Sequence, residues 1–152
     1  MPSTCPIFSC NCSRSQGFRS RARYLEIGPG PDFAPQLVLA SHGAEVTVAD
    51  LYLAEWDAPF HRKFYEAFLD KWTGEKTAIE KALRQDGYDG LLTMVREPAE
   101  HMPSIKSETF DFVQSHATLE HIMDISAAAA DMARVTRPHG FHSHQGDFRD
   151  HR

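Results

Sequence analysis

Cysteine, basic charge and long apolar runs are all scarce in this chain of 152 residues. The three cysteines (Cys5, Cys10 and Cys12) lie near the N-terminus, so we expect the folded part to lack disulfides, which is typical of a reducing compartment. They have no fourth ligand at usable spacing, which argues against a zinc site. No apolar run approaches the roughly 18 residues of a membrane span. A net charge of -5 argues against binding nucleic acid through a basic surface.

Acidic residues are missing from the start of the chain. None precedes Glu26, whereas four arginines do: Arg14, Arg19, Arg21 and Arg23. An arginine- and serine-rich, acid-poor start is typical of an unstructured leader or an organelle transit peptide. We therefore expect residues 1–22 to be a leader or disordered segment and residues 23–152 to form one domain. A cytoplasmic location is the expectation, with organelle targeting as the alternative.

The remaining sequence alternates between strand-like and helix-like segments. Strands are predicted at residues 23–27, 45–49, 91–96, 110–115 and 141–148, and helices at 33–41, 59–85 (divided at Gly74) and 126–137. Within the long helical segment, four aromatic residues recur every four positions and are expected in the core: Phe60, Phe64, Phe68 and Trp72. Strands separated by helices predict an α/β fold with a parallel sheet covered on both faces.

The first predicted strand ends in a glycine-rich turn, and the second ends in an acid. Gly28 and Gly30 permit positive φ angles and carry no Cβ atom, so a ligand can approach the backbone there. Asp50 follows the second strand, where a carboxylate can accept hydrogen bonds from both hydroxyls of a ribose. This order of strand, glycine turn, helix, strand and acid is typical of the first half of a nucleotide-binding unit.

Four segments in order carry a family resemblance: residues 25–30, 48–50, 110–121 and 132–140. The chain resembles the class I S-adenosylmethionine-dependent methyltransferases from about residue 23 to its end. The resemblance implies a Rossmann-like, doubly wound, mainly parallel sheet of about five strands with helices on both faces. The family's sheet normally has seven strands, so we expect this domain to be incomplete, without the last two.

The resemblance also implies the cofactor S-adenosyl-L-methionine and seven residues that contact it: Glu26, Gly28, Gly30, Asp50, Glu97, Ala99 and Ser115. In this family pattern Glu26 binds the amino group of the cofactor and Asp50 binds its ribose. Glu97 is the candidate for the adenine amino group. Each of these acids is alternatively a solvent-exposed residue at a strand end.

Two histidines after the fourth predicted strand are candidate general bases for methyl transfer, namely His116 and His121. The alternative for both is a structural role, in packing or in capping the helix that follows. Four further histidines cluster near the C-terminus: His139, His142, His144 and His151. Because only Asp147 or Asp150 is available nearby to complete a set of ligands, we predict no metal site.

These features predict S-adenosylmethionine-dependent methyl transfer to an acceptor that the sequence does not identify, with a small molecule as the expected partner. One alternative is a truncated, catalytically inactive module that binds the cofactor. Another is an NAD-binding Rossmann oxidoreductase, whose glycine motif requires a third glycine where this chain has Phe33.

Overall fold

A computed structural model describes residues 21–147 as a five-stranded parallel sheet between layers of helix. In chain order the elements are β1 (Arg23–Ile27), α1 (Ala34–Ser41), β2 (Glu45–Ala49), α2 (Ala58–Leu69), α3 (Thr77–Gln85), β3 (Leu92–Val95), β4 (Phe110–His116), a one-turn 3-10 helix (Leu119–His121), α4 (Ile125–Val135) and β5 (Thr136–Gln145). The strand order is β3-β2-β1-β4-β5. The predicted Rossmann-like fold is confirmed.

The alternation of side chains along β1 supplies both cores. Tyr24 faces the core formed with α1, α2 and α3, where Leu37 and Ile79 are also buried. Leu25 and Ile27 face the opposite core, which α4 covers. Because successive residues of a strand point to opposite faces, one central strand is buried on both sides. β1 is therefore buried up to its last residue, Ile27, and the glycine turn begins at the next residue.

The fifth strand begins earlier than the sequence predicts. The segment Pro138–His139–Gly140 reads as a turn after α4, but the structure places it inside β5. The β4–β5 register shifts between Phe110 and Phe112, which indicates a bulge, and His139 has a φ of 66°. A bulge accommodates extra residues without ending a strand, and this explains the misplaced boundary.

The predicted aromatic stripe is less buried than its spacing predicts, and α2 ends at Leu69, before Trp72. Phe60 and Trp72 are exposed, whereas Phe64 and Phe68 are partly buried. The fully buried residues of α2 are His61 and Tyr65. Helical spacing identifies a face, but the tertiary packing decides which face is covered.

Several predictions fall on residues that the structure does not describe. These include the leader up to residue 20, with its three cysteines. The last residue of the predicted fifth strand, Phe148, and the histidine that follows it, His151, also lie outside the described residues. The division between leader and domain stays a prediction. Within residues 21–147, no helix combines the length and apolar character that crossing a membrane requires.

Candidate functional site

A cavity of about 400 Å³ lies where the loops after β1, β2, β3 and β4 meet. A parallel sheet brings the carboxyl ends of its strands to one edge, which is where α/β proteins bind ligands. The volume lies in the range of small-molecule pockets. Among the predicted residues, those that line the cavity are Gly28, Gly30, Asp50, Ala99 and His121.

The two glycines of the β1 turn are required for different reasons. A Cβ atom on Gly28, where φ is 65°, would lie 2.3 Å from the hydroxyl oxygen of Thr118. Thr118 follows β4, and its hydroxyl lies 3.3 Å from the carbonyl oxygens of both Ile27 and Gly28. Gly30, where φ is 74°, has nothing within 4 Å of the Cβ position. The first glycine therefore permits packing between two loops, and the second leaves bare backbone at the cavity.

Asp50 lies directly after β2 at the edge of the cavity. Its main-chain N–H donates to the carbonyl oxygen of Val95, and its Oδ1 accepts a hydrogen bond of 2.7 Å from the N–H of Tyr52. The carboxylate is thus oriented by a local turn. An adjacent cavity of about 250 Å³ shares Gly30, Asp50 and Tyr52 with the first. Since a carboxylate has acceptor sites beyond the one used by Tyr52, Asp50 can also accept from a ligand.

Glu26 is buried on the other side of the glycine turn and is not among the residues that line the cavity. Its Oε2 accepts hydrogen bonds from the Tyr24 hydroxyl at 2.9 Å and from Nε2 of Gln36. Burial raises the pKa of the Glu26 carboxyl, and the hydrogen bonds from Gln36 and Tyr24 offset this only in part. The other side-chain oxygen of Gln36 is buried without a hydrogen-bond partner. Glu26 therefore couples β1 to α1 directly behind the glycine turn.

The loop after β3 places Glu100, rather than Glu97, at the cavity. The Glu97 carboxylate accepts hydrogen bonds from the main-chain N–H and the hydroxyl of Ser104, at 3.2 and 2.9 Å. Ala99 is buried and lines the cavity between these two acids. The acid at the cavity is therefore Glu100, which lies in the same loop as the predicted Glu97, and loop residues follow no periodic pattern that would distinguish the two.

Ser115 and His116 end β4 but do not line the cavity. The buried Ser115 hydroxyl lies 2.8 Å from Nδ1 of His144 on the neighbouring strand. Burial and then the neighbouring His142 lower the pKa of His144. The second ring nitrogen of His144 lies 3.2 Å from Nδ1 of His142. The contact between Ser115 and His144 joins β4 to β5. Ser115 therefore lies between these two strands and not at the cavity.

The two candidate bases therefore occupy different places. His121 lies in the one-turn helix after β4 and lines the cavity, whereas His116 is exposed outside it. Thr118, which was not among the predicted site residues, also lines the cavity. In the described part of the chain, no group of three or more metal-ligating side chains is arranged to hold a metal ion.

Comparisons with known proteins agree with the fold. One similar solved structure is a Methanococcus maripaludis protein assigned as an S-adenosyl-L-methionine-dependent methyltransferase, with 17% identity and a TM-score of 0.55 over 86% of this chain. Another is an S-adenosylmethionine-dependent methyltransferase from Mesorhizobium loti, with 19% identity and a TM-score of 0.53 over 82% of this chain. A third is the YcgJ protein of Bacillus subtilis, with 20% identity and a TM-score of 0.50 over 80% of this chain.

The chain spans 50%, 46% and 42% of the length of these three proteins, respectively. Among curated proteins, none matches its sequence. The sequence profile described as "Methyltransferase domain" matches residues 25–143, which is well over half of the chain and includes every segment that borders the cavity. The chain belongs to the methyltransferase domain family.

Proposed function

We propose that this domain binds S-adenosyl-L-methionine in the cavity after β1–β4 and transfers its methyl group to a small-molecule acceptor. The observation that carries the proposal is the convergence of the Gly28–Gly30 turn and the Asp50 carboxylate on one cavity. Family membership and the fold of the similar structures support it.

The residues present fit this cofactor. Open space over Gly30 leaves room for a ligand against the backbone. The Asp50 carboxylate suits the two ribose hydroxyls, and the apolar side chains of Ile27, Leu51 and Ile122 suit an adenine ring and the methylene groups of the methionine part. Behind the turn, the charge of Glu26 favours a ligand ammonium group electrostatically.

For the adenine amino group, we propose Glu100 in place of the predicted Glu97. Glu100 lines the cavity beside Ala99, while the carboxylate of Glu97 is occupied by Ser104. A carboxylate only accepts hydrogen bonds when it is ionised, so it complements an exocyclic amine.

When bound, S-adenosyl-L-methionine supplies a methyl group on a sulfonium sulfur. The protein must then align the acceptor and, where the acceptor is protonated, remove a proton. His121 is the proposed base because it is the candidate histidine that lines the cavity. We expect His121→Ala to lower kcat by about 100-fold at unchanged cofactor affinity, whereas His116→Ala leaves kcat nearly unchanged.

Calorimetry with the full chain tests cofactor binding directly. We expect S-adenosyl-L-methionine and its demethylated product to bind, and Asp50→Asn to weaken binding by about 1–3 kcal/mol, since the variant loses a charged acceptor. The substituted amide keeps an oxygen for the Tyr52 N–H, so the melting temperature should stay near that of the wild type. The exposed Glu55→Gln is the matched control, with unchanged affinity.

The outcomes separate the competing hypotheses. Folded protein that binds neither ligand contradicts the proposal, as does equal affinity in Asp50→Asn. Binding of NAD in their place would favour the oxidoreductase alternative. Cofactor binding without methyl transfer to any member of a panel of amine, hydroxyl and thiol acceptors would favour the inactive module.

A further inference from the structure

Two consecutive carbonyl groups next to the glycine turn accept hydrogen bonds from α2. The carbonyl oxygen of Pro31 lies 2.9 Å from Nε2 of His61, and the carbonyl oxygen of Asp32 accepts from the Tyr65 hydroxyl. His61 and Tyr65 are four residues apart, so they lie one turn apart on the same face of the helix. They are also the two fully buried residues of α2.

The partners of His61 assign its protonation. A carbonyl oxygen only accepts, so Nε2 carries the proton that is donated to Pro31. Nδ1 accepts the main-chain N–H of Asp57 at 2.8 Å, because a main-chain N–H can only donate. The ring is 2% exposed and stacks on Trp56. Both ring nitrogens of this buried histidine therefore have hydrogen-bond partners.

The partners of Tyr65 are equally well defined. Its hydroxyl donates to the Asp32 carbonyl oxygen, so the Tyr88 hydroxyl, 3.1 Å away, donates to it. Burial raises the pKa of Tyr65, and burial raises the pKa of Tyr88 to about 12. Both hydroxyls consequently remain protonated donors at neutral pH.

The segment that receives these bonds has an unusual backbone. We call residues 28–33 the glycine loop. Gly28, Gly30 and Phe33 all have positive φ angles, of 65°, 74° and 50°. For Phe33 this conformation costs about 1–2 kcal/mol, and such residues persist where the surroundings determine them. Phe33 is fully buried, with its ring edge-on to Tyr88 at 4.9 Å between centroids.

We propose that His61 and Tyr65 are positioning residues that hold the glycine loop in the shape that binds the cofactor. Neither lines the cavity, so they act through the Pro31 and Asp32 carbonyl groups. The inference rests on the proposed function, because it names the helix that preorganises that same site.

A purely structural role predicts different behaviour. If His61 only orders the start of α2 through Asp57, the bond to Pro31 is irrelevant to ligand affinity. Glutamine and asparagine separate the two contacts. The amide nitrogen of Gln reaches as far as Nε2 of His, whereas the amide of Asn ends at the level of Nδ1. His61→Gln can retain the Pro31 contact, and His61→Asn can retain only the Asp57 contact.

The first measurement is the Kd for S-adenosyl-L-methionine, with the melting temperature of each variant. We expect His61→Asn to raise Kd about tenfold and His61→Gln about twofold, as the loss or retention of one buried hydrogen bond predicts. Tyr65→Phe should raise Kd by about fivefold. Tyr88→Phe is the matched control: it removes a hydroxyl that contacts Tyr65 and not the loop, so its Kd should stay within about twofold of the wild type.

The second measurement needs no ligand. Hydrogen exchange in the free full-length chain should be faster at the amides of Asp32 and Phe33 in Tyr65→Phe than in Tyr88→Phe. Equal loop exchange in these two variants, or equal Kd for His61→Asn and His61→Gln, would overturn the positioning role. A third outcome separates the two claims. If loop exchange is faster in Tyr65→Phe but the wild type binds no S-adenosyl-L-methionine, the loop contacts are supported and the proposed function is refuted.

Discussion

The central strand β1 and the edge strand β5 differ in how completely their residues are buried. Four of the five residues of β1 are buried, whereas every residue of β5 is partly or fully exposed. Leu25 of β1 is 0% exposed and Phe141 of β5 is 70% exposed. The cavity is bordered by the loops after β1 to β4 and by no residue of β5. The ligand site therefore lies at the end of the buried central strand, and β5 contributes through its pairing with β4.

The largest expected effect compares a core residue of β1 with an exposed residue of β5. Leu25→Ala should lower the free energy of unfolding by about 3–5 kcal/mol, because it leaves a cavity under a central strand. Phe141→Ala should change it by no more than about 0.5 kcal/mol, since most of that ring is exposed. Urea unfolding measures both. Comparable losses would show that β5 is packed as tightly as β1 and would remove the contrast.

The next effect concerns the glycine turn itself. Gly28→Ala should cost about 2–4 kcal/mol of stability, because the positive φ and the close approach to Thr118 both disfavour a Cβ atom. Gly43→Ala is the control: φ is 89°, but nothing lies within 4 Å of the Cβ position, so only the backbone cost of about 1–2 kcal/mol remains. Thermal unfolding distinguishes the two. If both variants lose the same stability, Thr118 does not constrain the turn.

The smallest effect is the pH dependence that Glu26 confers. A raised carboxyl pKa means that the native state binds the proton more tightly than the unfolded chain does, where the pKa is about 4.3. The stability linked to this group is therefore present below that pH and is lost as the pH rises through the higher native value. Glu26→Gln should consequently be more stable than the wild type by about 1 kcal/mol at pH 7, with the difference shrinking toward pH 4.

The same substitution should also weaken binding of S-adenosyl-L-methionine if the charge of Glu26 attracts the ammonium group of the ligand. Glu45→Gln on the exposed start of β2 is the control for general surface charge. If the free energies of unfolding of Glu26→Gln and the wild type differ by the same amount at every pH from 4 to 7, the raised pKa of Glu26 is contradicted.

The sequence predicted the sheet, and five of the predicted site residues line the cavity, for a physical reason. Apolar runs of β-branched and aromatic residues define β1 and β2, and parallel strands bring the residues after them to one edge. The positions of the strands alone therefore predict that Gly28, Gly30 and Asp50 lie close together, and all three line the cavity. Ala99 and His121 also line the cavity, as expected of contacts after β3 and β4.

The remaining features depend on tertiary contacts that no local pattern encodes. Thr118 lies 90 residues from Gly28, and only the β1–β4 pairing brings them together. The face of α2 that packs against the core carries His61 and Tyr65, and these two residues are its fully buried ones. Glu100 replaces Glu97 at the cavity because Glu97 bonds within its own loop.

The central claim is that the loops after β1 to β4 bind S-adenosyl-L-methionine while β5 does not take part. A titration of the ¹⁵N-labelled full chain with S-adenosyl-L-methionine, followed by amide chemical shifts, tests it most directly. We predict saturable shifts at Gly28, Gly30, Asp50 and Ala99, with the amide of Phe141 unchanged. Shifts confined to β5, or no shifts in a folded protein at millimolar ligand, would contradict the claim.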